Sequence, residues 1–349
     1  MGMKLLKLFG AAAGAVLTAI AVAPACAQSV TDFYKGNTVT IIIGSSTGGG
    51  FDLYGRLIGR HMSKHLPGSP KVVVSNMPGA GSIRLAQHIY NVAPRDGTVI
   101  GAIFSGSIME HLIGTREKKP EYDPAKFTYI GSANSEAYAC VTRKDAKAQS
   151  FNDALNMEVI LGASASGGST ADFPNVLRNV LGAKFKIVSG YPGTNEISMA
   201  IESGEVQGAC GYAWSTVQSR RRHWLSDNLV NVLVQEVPSP HPDLTKMGVP
   251  TAQQLAKTDE QRAILNLFYS QLKFGRPYVT APAVPEDRVA ALRKAFVDTL
   301  NDPELRKETD KLQIEVDILE GAAMQKLIAD IYSTPADIVA KTRAALFPK

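Results

Sequence analysis

The stretch Thr38-Val39-Thr40-Ile41-Ile42-Ile43-Gly44-Ser45-Ser46-Thr47-Gly48-Gly49-Gly50-Phe51-Asp52 decides how this chain is read. Thr38 to Ile43 are β-branched throughout, the composition of a strand covered on both faces. Small residues follow, from Gly44 to Gly50. Then Tyr54, Leu57, Ile58, His61, Met62 and His65 recur at helical spacing. A strand, a small-residue loop and a helix open a parallel α/β unit.

The unit continues downstream. Lys71 to Ser75 reads as a second strand, closed by the turn-rich Asn76-Met77-Pro78-Gly79-Ala80-Gly81. Ile83 to Val92 is a helix, Pro94-Arg95-Asp96-Gly97 a turn, and Thr98 to Phe104 a third strand. This order implies parallel strands with helical crossovers. The pattern then restarts with strands at Ala137–Thr142 and Val159–Ala163, separated by a short helix at Phe151–Met157. A second loop, Ser164 to Thr170, precedes a helix at Phe173–Leu181. Phe185–Val188 and Val206–Tyr212 are strands around a helix at Glu196–Ser203. A Pro-rich stretch spans Val237 to Pro250. After Pro285, Val289, Leu292, Phe296, Val297 and Leu300 form one helical apolar stripe. The chain therefore holds two α/β units, each with a small-residue loop behind a strand.

Composition narrows the function classes. The chain has 349 residues, 45 % of them hydrophobic, and a formal charge of +5. That content is too apolar for a disordered chain and fits one large or two medium domains. Arg220-Arg221-Arg222 is the densest basic spot, so no nucleic-acid partner is expected. Residues 1–27 read as a secretory signal peptide: Lys4 and Lys7, an apolar run from Leu8 to Ala23, and the small-x-small triplet Ala25-Cys26-Ala27. Its removal leaves 322 residues at +3, in the periplasm. No second stretch reaches membrane-spanning length. Of three cysteines, Cys140 and Cys210 remain, and a disulfide and two buried thiols both stay open.

A strand-to-helix loop of small residues exposes backbone N–H groups at the positive end of a helix, which suits an anion such as a carboxylate. Ser45, Ser46, Thr47, Ser166, Ser169 and Thr170 add hydroxyls. Sharper readings of the loop fare poorly. Gly50 is followed by Phe51-Asp52, which excludes a P-loop, and the glycine spacing is not that of a dinucleotide fold. Gly44-Ser45-Ser46-Thr47-Gly48 matches the nucleophile elbow of serine hydrolases, with His223 or His241 as partners in principle. A hydrolase sheet needs earlier strands, and the mature chain has none before Thr38. His61 and His65 lie four apart on a helix but lack a third ligand, so helix packing is expected and no metal. No cofactor is expected.

In order along the chain, several segments resemble the periplasmic receptors of the tripartite tricarboxylate transporter family, the Bug receptors. They are Gly48-Gly49-Gly50-Phe51-Asp52, Asn76 to Gly81, Pro94 to Gly97, Tyr122-Asp123-Pro124, Ser166 to Thr170, Tyr191-Pro192-Gly193, and Thr280-Ala281-Pro282 with Val284-Pro285. The resemblance implies an α/β, periplasmic-binding-protein-like fold: two lobes joined by crossing strands around a cleft. The boundaries that follow are 28–133 for the first part of lobe 1, 134–234 for lobe 2, and 235–349 for the return to lobe 1. It implies a monomeric, non-enzymatic receptor that captures a small organic acid and delivers it to one large and one small membrane subunit. The same fold could also serve a ligand sensor for a signalling receptor.

By matching segments, the resemblance places the ligand at Ser46, Thr47, Gly48, Gly49, Gly50, Phe51 and Asp52 and at Ser105 and Ser107. It adds Ser166, Gly168, Ser169, Thr170 and Tyr191. Backbone groups, hydroxyls and water would hold the acid, with no obvious arginine for the cleft. Thr47, Met77, Ala171 and Pro192 depart from the family pattern, so pocket side chains cannot be copied from relatives. Phe51, Tyr212 and Trp214 would favour an aromatic or partly apolar acid if they line the cleft, and core packing if they do not.

Overall fold

In the computed structural model, residues 28–346 are described except 46, 49, 115, 117, 165–167 and 313. The predicted signal peptide lies outside these residues. Strand β1 (Thr38–Ile43) is an inner strand of the first sheet, one in from its edge, and Val39, Ile41, Ile42 and Ile43 are all buried. Its neighbours are β2 (Lys71–Asn76) and β3 (Val99–Ala102), both parallel to it. Beyond β3 the sheet adds β4 (Thr128–Ser132), which carries the chain out of this lobe.

The second sheet starts with β5 (Tyr138–Arg143), followed by β6 (Val159–Ala163), β7 (Phe185–Ser189), β8 (Gly208–Ala213) and β9 (Val230–Glu236). Its order is β7-β6-β8-β5-β9, with β6 parallel to β7 and β8. The chain re-enters the first sheet as β10 (Pro277–Thr280), antiparallel between β3 and β4. A short β11 (Leu319–Glu320) completes the order β11-β4-β10-β3-β1-β2. Parallel pairing thus holds within each βαβ core, while the strands that carry the chain between lobes run antiparallel. The structure bears out the two-lobed α/β expectation.

The sequence boundary at 235 falls inside β9. After β9 the chain stays with the second sheet through the helix Asp259–Tyr269. That helix buries Ile264, Leu265, Leu267 and Phe268, and the Phe268 ring meets Phe173 of the second lobe at 4.9 Å. Burying such a face is worth roughly 1.5–3 kcal/mol per large side chain, which keeps the helix on that side.

Two segments cross between the lobes and pair with each other. Ala133 N–H donates to the Arg276 carbonyl at 3.0 Å, Gly275 N–H to Asn134 at 3.0 Å, and Glu136 N–H to Leu272 at 2.9 Å. The C-terminal helix Ala336–Leu346 forms another connection. Arg343 donates to the carbonyls of Leu112 and His111 at the end of helix Ser105–Ile113 in lobe 1. From lobe 2, Asn179 Nδ2 donates to the Ala345 carbonyl.

The paired histidines serve helix packing. His61 Nε2 lies 2.9 Å from Glu308 and His65 Nε2 2.7 Å from Asp302, joining helix Gly50–Met62 and the turn after it to helix Pro303–Leu312. His61, Asp302 and Glu304 come within reach of a common ion, but Lys64 Nζ already contacts both carboxylates, at 2.8 and 2.6 Å.

Cys140 and Cys210 form a disulfide between adjacent strands β5 and β8, with both residues fully buried. Replacing both by Ser is expected to lower unfolding stability by about 2–4 kcal/mol, read as a lower denaturant midpoint. An unchanged midpoint would show that the bond contributes nothing.

Candidate ligand cleft

A cleft of about 1270 Å³ opens between the lobes. Several of its walls are the starts of helices. Phe51 lies at the start of helix Gly50–Met62, and Ala80, Gly81 and Ile83 at the start of helix Ile83–Asn91. Phe104 to Ser107 begin helix Ser105–Ile113. From lobe 2 come Gly168 and Ser169 at the head of helix Ser169–Val176, and Gly190 to Pro192 just before helix Thr194–Ser203. The first turn of any helix has N–H groups without intrahelical partners, and its dipole favours negative charge. Helix starts from both lobes therefore present one gap with donors.

Each loop is held from behind. Asp52 is buried and accepts from Gly48 N–H at 2.9 Å, from Asn76 Nδ2 at 2.8 Å and from Arg56 Nε at 3.0 Å. Asn76 in turn donates to the Ser45 carbonyl. Asp52 thus ties the first loop to β2, and its carboxylate is engaged with the loop and not with the cleft. Arg56 first, with the two amide donors, pulls its pKa down to about 2 against the cost of burial. In the second lobe, Thr170 Oγ1 accepts from Ser164 N–H at 3.0 Å.

Behind helix Ser169–Val176 lies Glu236, fully buried. Its Oε2 accepts from Gly211 N–H at 2.6 Å, and Ser169 Oγ donates to the Gly211 carbonyl at 2.8 Å. Gly211 has φ +59°, and a Cβ there would stand 2.1 Å from the Ser169 carbonyl, so only glycine fits this close approach. Burial pushes the Glu236 pKa up to about 8 despite the Gly211 bond. Glu236 Oε1 has no hydrogen-bond partner among the described residues.

The cleft floor holds an ion pair that the sequence reading did not foresee. Arg276 and Glu136, one on each crossing segment, meet at 3.2 Å and both line the cleft. The guanidinium also sits 4.4 Å from the centre of the Phe51 ring, a cation–π contact. Burial raises the Glu136 pKa, and Arg276 works against that rise. Nearer the rim, Arg116 approaches Glu110 at 3.5 Å.

The site residues expected from sequence divide. Phe51, Ser105, Ser107, Gly168, Ser169 and Tyr191 line the cleft. Ser107 spends its hydroxyl on the Phe104 carbonyl, and Tyr191 donates its hydroxyl to Glu205. Thr47, Gly48 and Gly50 are exposed at the first loop, and Thr170 is buried behind the second. Ser46, Gly49 and Ser166 lie outside the described residues. Tyr212 and Trp214 take the core alternative. Tyr212 shares a hydrogen bond with Ser198 at 2.6 Å and stacks near Trp224, while Trp214 is buried in the same cluster. Tyr212 in β8 and Trp214, the first residue of helix Trp214–Arg220, both join that core cluster, and neither lines the cleft. Phe104, Tyr138, Phe173 and Arg276 line the cleft instead, and no motif marked them. None of the histidines among the described residues lines it. His223 pairs with Glu202, and His241 lies in a separate hollow of about 690 Å³.

A gap between two α/β lobes, faced by helix starts from each, defines the class of two-lobed binding folds. The comparisons agree. No known protein-family model matches the chain. It is 27 % identical over 208 residues to the "UPF0065 protein in the TAR-I ttuE-ttuC' intergenic region" of Agrobacterium vitis, a match spanning 58 % of each chain. It shares the fold of a TctC solute binding protein from Polaromonas, at TM-score 0.66 and 18 % identity, over 87 % of this chain and 98 % of that one. MatC from Rhodopseudomonas palustris, with bound malate, aligns at TM-score 0.59 and 20 % identity, over 86 % of this chain and 98 % of that one. These likenesses bear out the two-lobed α/β fold that the resemblance implies.

The pKa values of two carboxyl groups are shifted in opposite directions, Asp52 down and Glu236 up. Asp52→Asn should destabilise the protein at pH 7, and the gap to wild type should shrink as pH falls from about 4 toward 2, because the depressed pKa stabilises only while Asp52 is ionised. Paired unfolding curves at pH 7 and pH 3 read this, and an equal gap at both would contradict it. For Glu236 the folded pKa exceeds the ordinary glutamate value of about 4.5, so its contribution weakens as pH rises from there to about 8. Glu236→Gln should therefore gain on wild type between pH 5 and pH 8, roughly on the scale of one to a few kcal/mol. Parallel melting-temperature profiles for the two proteins would refute the shift.

Proposed function

We propose that this protein is a periplasmic solute-binding receptor that captures a small carboxylate between its lobes. The observation that carries this reading is the set of helix starts from both lobes that face one cleft beside Arg276. Neither lobe alone surrounds a ligand, so contacts from both are complete only when the gap is narrow. Ligand therefore favours the closed arrangement by its differential affinity for it. The malate bound by MatC is a carboxylate held in the same fold. The receptor is a monomer that delivers its cargo to the large and small membrane subunits of a tripartite tricarboxylate-type transporter. The sequence supports export through residues 1–27, and no helix among the described residues is long and apolar enough to cross a membrane.

A ligand that binds only the folded state adds about 2.7 kcal/mol at a hundred times its dissociation constant. At least one member of a panel of malate, citrate, adipate, succinate and benzoate should raise the melting temperature by several degrees. Silence across di-, tri- and monocarboxylates at millimolar concentration would overturn the proposal.

A further inference from the structure

We infer that the cleft selects an aromatic monocarboxylate, with the ring held between aromatic side chains of the two lobes. This rests on the reading that the cleft takes a carboxylate. Lobe 1 contributes Phe51 and Phe104, whose ring centres lie 4.4 Å apart with planes tilted by 40°. Lobe 2 contributes Tyr138 and Phe173, 4.9 Å apart at 58°. Phe51, Phe104 and Tyr138 are only half-buried, so each keeps ring surface open to the cleft. Of these lining rings, Phe51, Phe104 and Tyr138 are left partly uncovered and have the geometry to complete edge-to-face or offset contacts with an inserted ring.

Charge points the same way. The cleft lining carries three carboxylates, on Glu110, Glu136 and Asp172, against the guanidinium groups of Arg116 and Arg276. Both guanidinium groups already face acids, Arg276 at 3.2 Å and Arg116 at 3.5 Å. A di- or tricarboxylate would bring further negative charges into a site with no excess of side-chain cations. Helix starts, each worth about half a positive charge, suffice for one carboxylate. The remainder of the ligand meets apolar surface, which includes Ile83, Met109 and Leu272. A ring on one carboxylate satisfies both demands.

The test uses the whole mature chain and calorimetric titration with benzoate, phenylacetate, cyclohexanecarboxylate, benzamide, malate and adipate. Benzoate or phenylacetate should bind about tenfold or more tighter than malate and adipate, and about fivefold tighter than cyclohexanecarboxylate, which has the same size without the π-face. Phe104→Leu should weaken arylcarboxylate binding severalfold with little change in the ligand-free melting temperature. Tighter binding of malate or adipate, or equal binding of the aromatic and saturated rings, would overturn the inference while leaving a carboxylate receptor in place. Equal binding of benzamide and benzoate, or no binding by any acid, would overturn the carboxylate reading itself. Because the ring comparison needs only wild-type protein, a variant that fails to fold does not blunt the test.

Discussion

Everything about the cleft depends on how two short segments pair where the chain crosses between sheets. Residues 133–136 leave the first sheet and residues 272–276 return to it, and backbone hydrogen bonds join them edge to edge. A pair of isolated strands could pass each other at many angles. The hydrogen-bonded ribbon of these two segments, one of which begins in the 3-10 turn Ser270–Phe274, allows few, because sliding by one residue would break the bonds. The Glu136–Arg276 contact lies across this ribbon. Such a buried pair is a weak source of net stability, but losing one partner leaves an unmatched charge, typically at a cost of about 3–5 kcal/mol. It therefore penalises any arrangement of the crossing in which the two side chains part.

With the crossing set, the small-residue loops gain their meaning. Each loop is short and carries few side chains to stiffen it, so its shape is imposed by polar groups beneath it. Asp52 and Asn76 do this in one lobe, and Thr170 with the Glu236–Gly211 bond in the other. These buried partners never need to touch a ligand to matter. They hold the backbone donors in place before a solute arrives, which removes an ordering cost from binding. In Glu236 that service comes with a carboxyl whose pKa burial has pushed up.

Much of this was legible in the sequence. Strands such as Thr38–Ile43 and Val159–Ala163 announce themselves by unbroken apolar or β-branched runs, because both faces of a central parallel strand are covered. The two loops stood out because small residues cluster between those strands and the helices after them. Arg276 did not, since an arginine in a connecting segment looks the same in sequence whether it faces solvent or a buried acid 140 positions away. Tyr212 and Trp214 left both readings open. An aromatic pair at a strand end is compatible with either face of a sheet, and only the packing of Trp224 and Ser198 decides between them. Phe104 and Tyr138 were invisible as cleft-lining residues because they sit beside the motifs and not within them. The Pro-rich stretch Val237 to Pro250 leads into helices that remain packed against the second lobe, which its composition does not reveal.

The C-terminal helix gives the molecule an asymmetry that the two sheets do not have. It is fastened by Arg343 to one lobe and by Asn179 to the other, and its end at Leu346 forms part of the cleft wall. The halves are thus stitched along the base and along one flank, as a purse is. Such an object does not gape evenly. Opening that keeps both fastenings must hinge about this helix, and opening on its own side would break the Arg343 or Asn179 bonds.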